Sequence, residues 1–251
     1  MVAFLYRMPA GIPGSVTRPN VAVTTLAGQL SIANLFASYG LPVAIESATG
    51  RLRPIIAGDV AAAVAGFLVR PYPYTGSTVL GVSVPPQAGG TADRMTHGFM
   101  SVKVTNGTPV AGSTVYARTA LNAAIPTGLI GDVEASFDGS ATGVAKAGNV
   151  GNGTIGAVSA LPTAQLGAYV ATLTAATTFN VTDPSGRVLM AGATGVAYTA
   201  EGVSFTITAG ATAFAAGDAF TVTVAANVFA IPGATFTGGM DANGNSEVAY
   251  N

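Results

Sequence analysis

Gly151-Asn152-Gly153-Thr154-Ile155-Gly156 spells G-x-G-x-x-G, the glycine pattern that lets a backbone approach a dinucleotide pyrophosphate. The pattern works only between a strand and a helix N-terminus, with an acid about 20 residues further on. Here Gly148 and Asn149 precede it, Pro162 would end any helix almost at once, and no acid stands at the required distance. In a chain with 33 glycines a chance match is expected, so a dinucleotide site is rejected. Asp241-Ala242-Asn243-Gly244-Asn245-Ser246-Glu247 places oxygen ligands at alternate positions, as a calcium loop does. Such a loop needs Gly at its sixth position and Glu at its twelfth. Ser246 holds the sixth and the twelfth falls past Asn251, so an Asn-Gly turn between two strands is the better reading.

His97 is the sole histidine and there is no cysteine, which excludes disulfides, thiolate chemistry and Cys-based zinc sites. Asp93 and Arg94 lie close to it, but three polar residues at a strand entrance are usually a solvated loop. The 11 carboxylates are dispersed, and no pair stands out for acid–base work. Asn106-Gly107-Thr108, Asn152-Gly153-Thr154 and Asn180-Val181-Thr182 are sequons that mean nothing without secretion. No enzyme is expected. Arg70-Pro71-Tyr72-Pro73-Tyr74 is of another kind, because Arg and Tyr are enriched in binding hot spots. A Pro-stiffened loop whose Tyr residues cap the core edge explains it equally well.

The elements behind these residues read as strands. From Thr96 to Arg118, Met100, Val102 and Val104 share one face and Ser101 and Lys103 the other, the period of a half-buried strand. Val115 and Ala117 alternate likewise with Thr114, Tyr116 and Arg118. Asn106-Gly107 and Gly112 supply turn conformations and Pro109 forbids pairing at the tip, so the stretch predicts an antiparallel hairpin. Upstream, Pro9, Gly11, Pro13, Gly14 and Pro19 predict an extended arm. Val21 to Thr25 is a short strand, and Ala27–Tyr39 reads as a short helix or extended chain. Val43–Glu46, Leu52–Ile55 and Ala63–Arg70 are further strands. Downstream, Gly143–Gly156 is nearly featureless and reads as a junction. Beyond it Tyr169–Thr174, Thr178–Thr182, Val203–Thr208 and Ala219–Val224 alternate. Leu173, Phe179, Val181, Phe205, Ile207, Phe220 and Val222 suffice for a small sandwich of their own. Ile231–Phe236 and Glu247–Tyr250 return to the style of the first half, so a second domain inserted into the first fits better than two in tandem.

Composition narrows the partners. Charged residues are 8% of the chain against about a quarter in ordinary domains. Such a surface is either solvated by Thr, Ser, Asn and Gly or covered by other proteins. The net charge is −1 and the basic residues are scattered, which disfavours nucleic acid. Met1–Tyr6 is too short for a signal-peptide core, and Val60–Val69, the longest apolar run, is far short of the ~20 residues of a membrane span. An unprocessed, non-membrane protein is expected.

Met8–Arg18, the run from Gly58-Asp59 to Pro73, Arg94–Gly98, Pro232–Phe236 and Glu247–Asn251, in that order, resemble the structural cement (capsid decoration) proteins of tailed bacteriophages. Lys146–Ile155 with Gly217–Val224 is similar to a small β module that accompanies phage head-decoration proteins. The resemblance implies an all-β chain: a β-sandwich or jelly-roll-like cement domain over 1–144 and 227–251, with a second small β-sandwich inserted at 145–226. It implies a structural protein on the outer surface of the capsid, assembled in the bacterial cytoplasm, that bridges major capsid protein subunits. Its expected partners are the major capsid protein and its own copies, a dimer in preference to a trimer. Neither nucleic acid nor membrane is among them, and no cofactor or metal is expected. The proline-rich arm is where contact is expected, with Arg7, Pro13, Arg18, Arg70, Tyr72 and Tyr74 as contact residues. Two alternatives stay open: a glycan-binding adhesion module in the insert, which would need a shallow aromatic patch although Tyr169 and Tyr198 are its only polar aromatics and the chain has no Trp, and a tail or baseplate component.

Overall fold

A computed structural model describes residues 11–71, 86–123, 125–161 and 163–251. The chain divides into two compact units, Met1–Phe137 with Val228–Asn251, and Asp138–Asn227. In chain order the first unit supplies β1 (Thr24–Gln29), β2 (Pro42–Ile45), β3 (Leu52–Pro54), β4 (Val64–Leu68), β5 (Thr91–Asn106), β6 (Thr114–Arg118) and β7 (Val133–Glu134). The second supplies β8 (Gly139–Ala145), β9 (Thr154–Ala160), β10 (Gly167–Leu173), β11 (Thr178–Thr182), β12 (Val188–Ala193), β13 (Ala197–Ala200), β14 (Val203–Thr208) and β15 (Ala219–Ala226). The first unit closes with β16 (Val228–Phe236) and β17 (Asn245–Tyr250). The only helix among the described residues is a 3-10 turn at Ala61–Ala63. No described helix is long and apolar enough to cross a membrane. The fold is all-β.

The first unit is organised by β5. Its first half pairs antiparallel with β1 and β4, and its second half with β17. β17 pairs with β16, β16 with β6, β6 with β7, and β7 runs parallel to β5, so five strands close on themselves. Closure leaves no free edge among them. Met100, Val102, Val104, Val115, Ala117, Val133, Phe236 and Val248 fill the interior, the predicted period-two face of β5 and β6 included. The predicted β5–β6 hairpin, however, does not form. Gly107 and Gly112 do turn the chain at φ near +80°, but β7 lies between the two strands. A two-residue strand carries too little pattern to be seen in sequence. A satellite core of Leu30, Phe36, Tyr39, Leu41, Val43, Leu52 and Leu68 packs around β2 and β3.

The helix considered for Ala27–Tyr39 is absent. β1 runs to Gln29, and beyond it the Ser31 Oγ accepts from the backbone N–H groups of Ala33 and Asn34, holding a loop. Glu46 anchors that loop by accepting from Ser31 and Asn34. The Asp241–Gly244 segment is the turn expected between the last two strands, and Asp241 Oδ1 accepts from the N–H of both Asn243 and Asn245.

In the second unit β12, β11, β10, β15 and β8 form one sheet and β13, β14 and β9 another. One core draws on both: Tyr169, Leu173, Phe179, Val181, Phe220 and Val222 from the larger, Tyr198, Val203, Phe205 and Ile207 from the smaller. This is a sandwich. The strands foreseen from Tyr169 onward are all present, and a turn at Asp183–Gly186 follows β11, closed by the Gly186 N–H on the Asp183 carbonyl at 2.9 Å. The supposed junction at Gly143–Gly156 instead holds the end of β8 and the start of β9. Gly143, Gly151 and Gly153 serve close packing: a Cβ at Gly143 would lie 2.9 Å from Ile155 and Val158, and one at Gly151 2.8 Å from the Phe214 backbone. The first two glycines of the G-x-G-x-x-G run, Gly151 and Gly153, are therefore a packing surface for Phe214.

Candidate contact surface

Of the residues singled out for contact, Pro13, Arg18 and Arg70 are described, whereas Arg7, Tyr72 and Tyr74 lie outside the described residues. The structure places Pro13 and Arg18 on one strap and ties Arg70 to it. Residues 12–18 do not stand off as an arm; they lie along β5 of their own unit. The Gly14 N–H donates to the Ser101 carbonyl at 2.8 Å, the Ser101 N–H to Ser15 at 3.0 Å, and the Thr17 N–H to Phe99 at 3.1 Å. The Arg70 N–H in turn donates to the Gly14 carbonyl at 2.8 Å. Gly14 sits at φ +85°, and a Cβ there would run into Tyr39 and the Gly40 backbone, so the strap passes only because this residue is glycine. Pro13 is half-buried beside Gly40.

Arg18 is committed within the molecule. Its guanidinium ion-pairs with Glu247, with Nε 3.1 Å from Oε1, and lies 4.3 Å over the Phe99 ring. Thr17 and Thr237 donate their hydroxyls to the same carboxylate at 2.5 and 2.6 Å. Burial pulls the Glu247 carboxyl upward, but the hydrogen bonds from Arg18, Thr17 and Thr237 outweigh it and hold the group below the usual carboxylate range. Sequence reasoning found Arg18 and missed Glu247, because the two stand near opposite ends of the chain.

Other charges are likewise answered inside. Arg53 grips Asp59 with both Nη atoms, at 2.6 and 3.0 Å. Arg118 and Glu134, both fully buried, form an ion pair, and the Asn106 amide donates to Glu134 at 3.0 Å. Burial pushes the neighbouring Asp132 carboxyl up, although it accepts the Leu129 N–H at 2.9 Å. Nothing in the period-two pattern announces this network; the one hint is a charged residue directly after the buried Ala117.

The first unit also turns several large apolar side chains outward. Ile12, Ile32, Leu35, Val60, Leu121 and Leu129 are each more than half exposed, from 55% at Ile12 to 65% at Leu121. Leu35, Ile56 and Ile130 line a shallow groove of about 360 Å³ with Pro54 and Ala57. In the second unit Tyr169, Phe179, Tyr198, Phe205, Phe214 and Phe220 are all buried, so the aromatic patch that glycan binding needs is not on its surface. Among the described residues no group of three or more His, Asp and Glu is placed to hold a metal ion.

An all-β chain whose Arg18, Arg53 and Arg118 are paired with its own carboxylates, and which exposes several aliphatic side chains, offers a surface suited to protein contact. The family model described as XM1 gp53 minor capsid protein matches residues 1–250, and the chain belongs to that family. It is a phage capsid-associated structural protein of the virion. Two crystal structures of Xanthomonas campestris FlgL, in space groups H3 and C2, are each 28% identical to it at a TM-score of 0.30. They cover 36% and 38% of this chain, which spans only 29% and 31% of theirs; at that TM-score the likeness bears on neither fold nor function. No curated protein matches the chain.

Proposed function

We propose that the protein is a cement protein on the outer face of the phage head, where the first unit binds and bridges major capsid protein subunits and stabilises the expanded shell. Residues 145–226 form an inserted, outward-facing domain in this reading, and copies associate with one another as dimers. The observation that carries it is the shallow groove bordered by the exposed Leu35 and Ile56, on a unit whose Arg18, Arg53 and Arg118 are paired with its own carboxylates. Apolar contacts of modest size suffice because a lattice repeats them. Pro13, Arg18 and Arg70, with Arg7, Tyr72 and Tyr74, are further contact residues in this reading.

Two measurements test this. Quantifying the chain against the major capsid protein in purified heads should give about one copy per shell subunit, the ratio expected if it repeats across the whole lattice; a few copies per particle would favour a tail or baseplate role. Removal of residues 1–19 is a poor test, because it strips the strap from β5 and disturbs the core. Leu35→Asp with Ile56→Asp is sharper: head occupancy should collapse while the unfolding temperature holds, and unchanged occupancy would sink the groove as the contact.

A further inference from the structure

The sequence holds three Asn-Gly steps, Asn106-Gly107, Asn152-Gly153 and Asn243-Gly244. Such a step is chemically labile. The glycine backbone nitrogen attacks the asparagine Cγ, a C–N bond closes a five-membered succinimide, the nitrogen's proton passes to solvent and ammonia leaves. Water then opens either imide bond, giving an aspartyl residue or its β-linked isomer. Glycine favours closure because no Cβ obstructs it. The folded chain decides whether the asparagine side chain is free to swing onto that nitrogen.

Two of the three are held. The Asn106 amide donates to the buried Glu134 carboxylate at 3.0 Å, its carbonyl accepts from Ala135, and Gly107 is pressed against Ser136. Asn152 Oδ1 accepts the Thr212 N–H at 2.8 Å, and Gly153 is wedged between the Phe214 ring and the Thr208 carbonyl. Asn243 differs on each count. It is exposed at the tip of the β16–β17 turn, only its backbone N–H is bonded, and its carboxamide has no partner among the described residues. A Cβ at Gly244 would meet nothing closer than the Val104 carbonyl at 3.5 Å; the Gly244 carbonyl accepts the Val104 N–H at 2.8 Å, but its own N–H, the group that must attack, makes only a 3.1 Å bond to Asp241 in a solvent-facing turn.

We propose that Asn243 is a site of spontaneous deamidation in the folded protein, while the fold protects Asn106 and Asn152. The product places a carboxyl group, or a backbone lengthened by a methylene, in the turn whose Asn245 side chain holds the Gly11 carbonyl at 3.1 Å. A virion protein stays folded for the life of its particle, so chemistry this slow has time to act on it.

The test is peptide mapping by mass spectrometry after incubation at mildly alkaline pH, folded and in denaturant. In denaturant all three steps should convert at similar rates. Folded, Asn243 should stay within about threefold of its denatured rate, whereas Asn106 and Asn152 should slow by about tenfold or more, as local opening controls them. Asn243→Ser should abolish most of the ammonia released by the folded protein. Slowing of Asn243 as strong as at the other two steps, or earlier conversion of Asn106 or Asn152, overturns the proposal.

Discussion

The first unit closes five strands into a ring and buries an ion pair, Arg118–Glu134, among aliphatic side chains. The second leaves its two sheets open at their edges and fills the space between them with rings: Phe179, Tyr198 and Phe205 lie within 5.9 Å of one another, and Phe214 meets Phe220 edge-on. Its acids sit at the ends of the sandwich rather than within it. Asp218 accepts N–H groups from Val150, Gly151 and Ala215, and Asp183 gathers Ser185 and Arg187. With so few charges, a chain can spend them inside a closed ring or on the loops of an open sandwich. This protein does both, and the two halves should fail differently.

Calorimetry that resolves two transitions would expose the difference. Glu134→Ala should have the largest effect, about 3–5 kcal/mol from the first unit, because Arg118 stays buried without its carboxylate; the second transition should not move. Arg118→Met with Glu134→Leu should recover most of that loss, and failure to do so would show that the pair does more than neutralise itself. Leu173→Ala should cost the second unit about 2–4 kcal/mol through a cavity beneath its aromatic cluster, with the first transition unmoved. A shift of both transitions in either variant would collapse the distinction.

Acid should separate the halves next. Ser185 and Arg187 hold the Asp183 carboxyl at about 2, and backbone N–H groups hold Asp218 below its ordinary value. Both folded-state values lie below the unfolded ~3.9, so their stabilisation is complete above about pH 4 and fades as pH falls toward 2. In the first unit Asp132 has the opposite sign. Burial raises its folded value, so acidification relieves a penalty there, and Asp132→Asn should remove that relief. Glu46, Asp59 and Glu247 of the first unit are depressed too, so both transitions should fall in acid; Asp132→Asn should steepen the fall of the first and leave the second unchanged, and an unaltered first transition would refute the assignment. The smallest effect is Ala157→Gly. Ala157 sits at φ 50° on β9, beside the register shift against β14, and glycine should raise the second transition by about 1 kcal/mol.

Legibility followed side-chain bulk. Phe205 and Ile207, or Phe220 and Val222, alternate plainly, and their strands are where the pattern puts them. β8 and β9 alternate Gly, Ala and Thr, whose small faces carry almost no period-two signal, so they read as a junction. Partners were less legible than strands: β5 meets β17 from the far end of the chain and β7 from a two-residue segment, and no local pattern encodes either. The contact residues follow the same rule. Arg18 was visible as a rare charge in a proline-rich stretch, but its commitment to Glu247 and Phe99 is a property of the closed fold.

The strap and the last strand both grip the same point, since Val16 and Val248 each pair with Met100. Backbone hydrogen bonds of an antiparallel ladder lie across the strands. A pull directed along β5, through Thr17 at one flank or Tyr250 at the other, therefore strains several of them sideways together instead of peeling them one at a time. Loaded in that direction the first unit behaves as a lap joint, and it would yield abruptly, at high force, rather than creep.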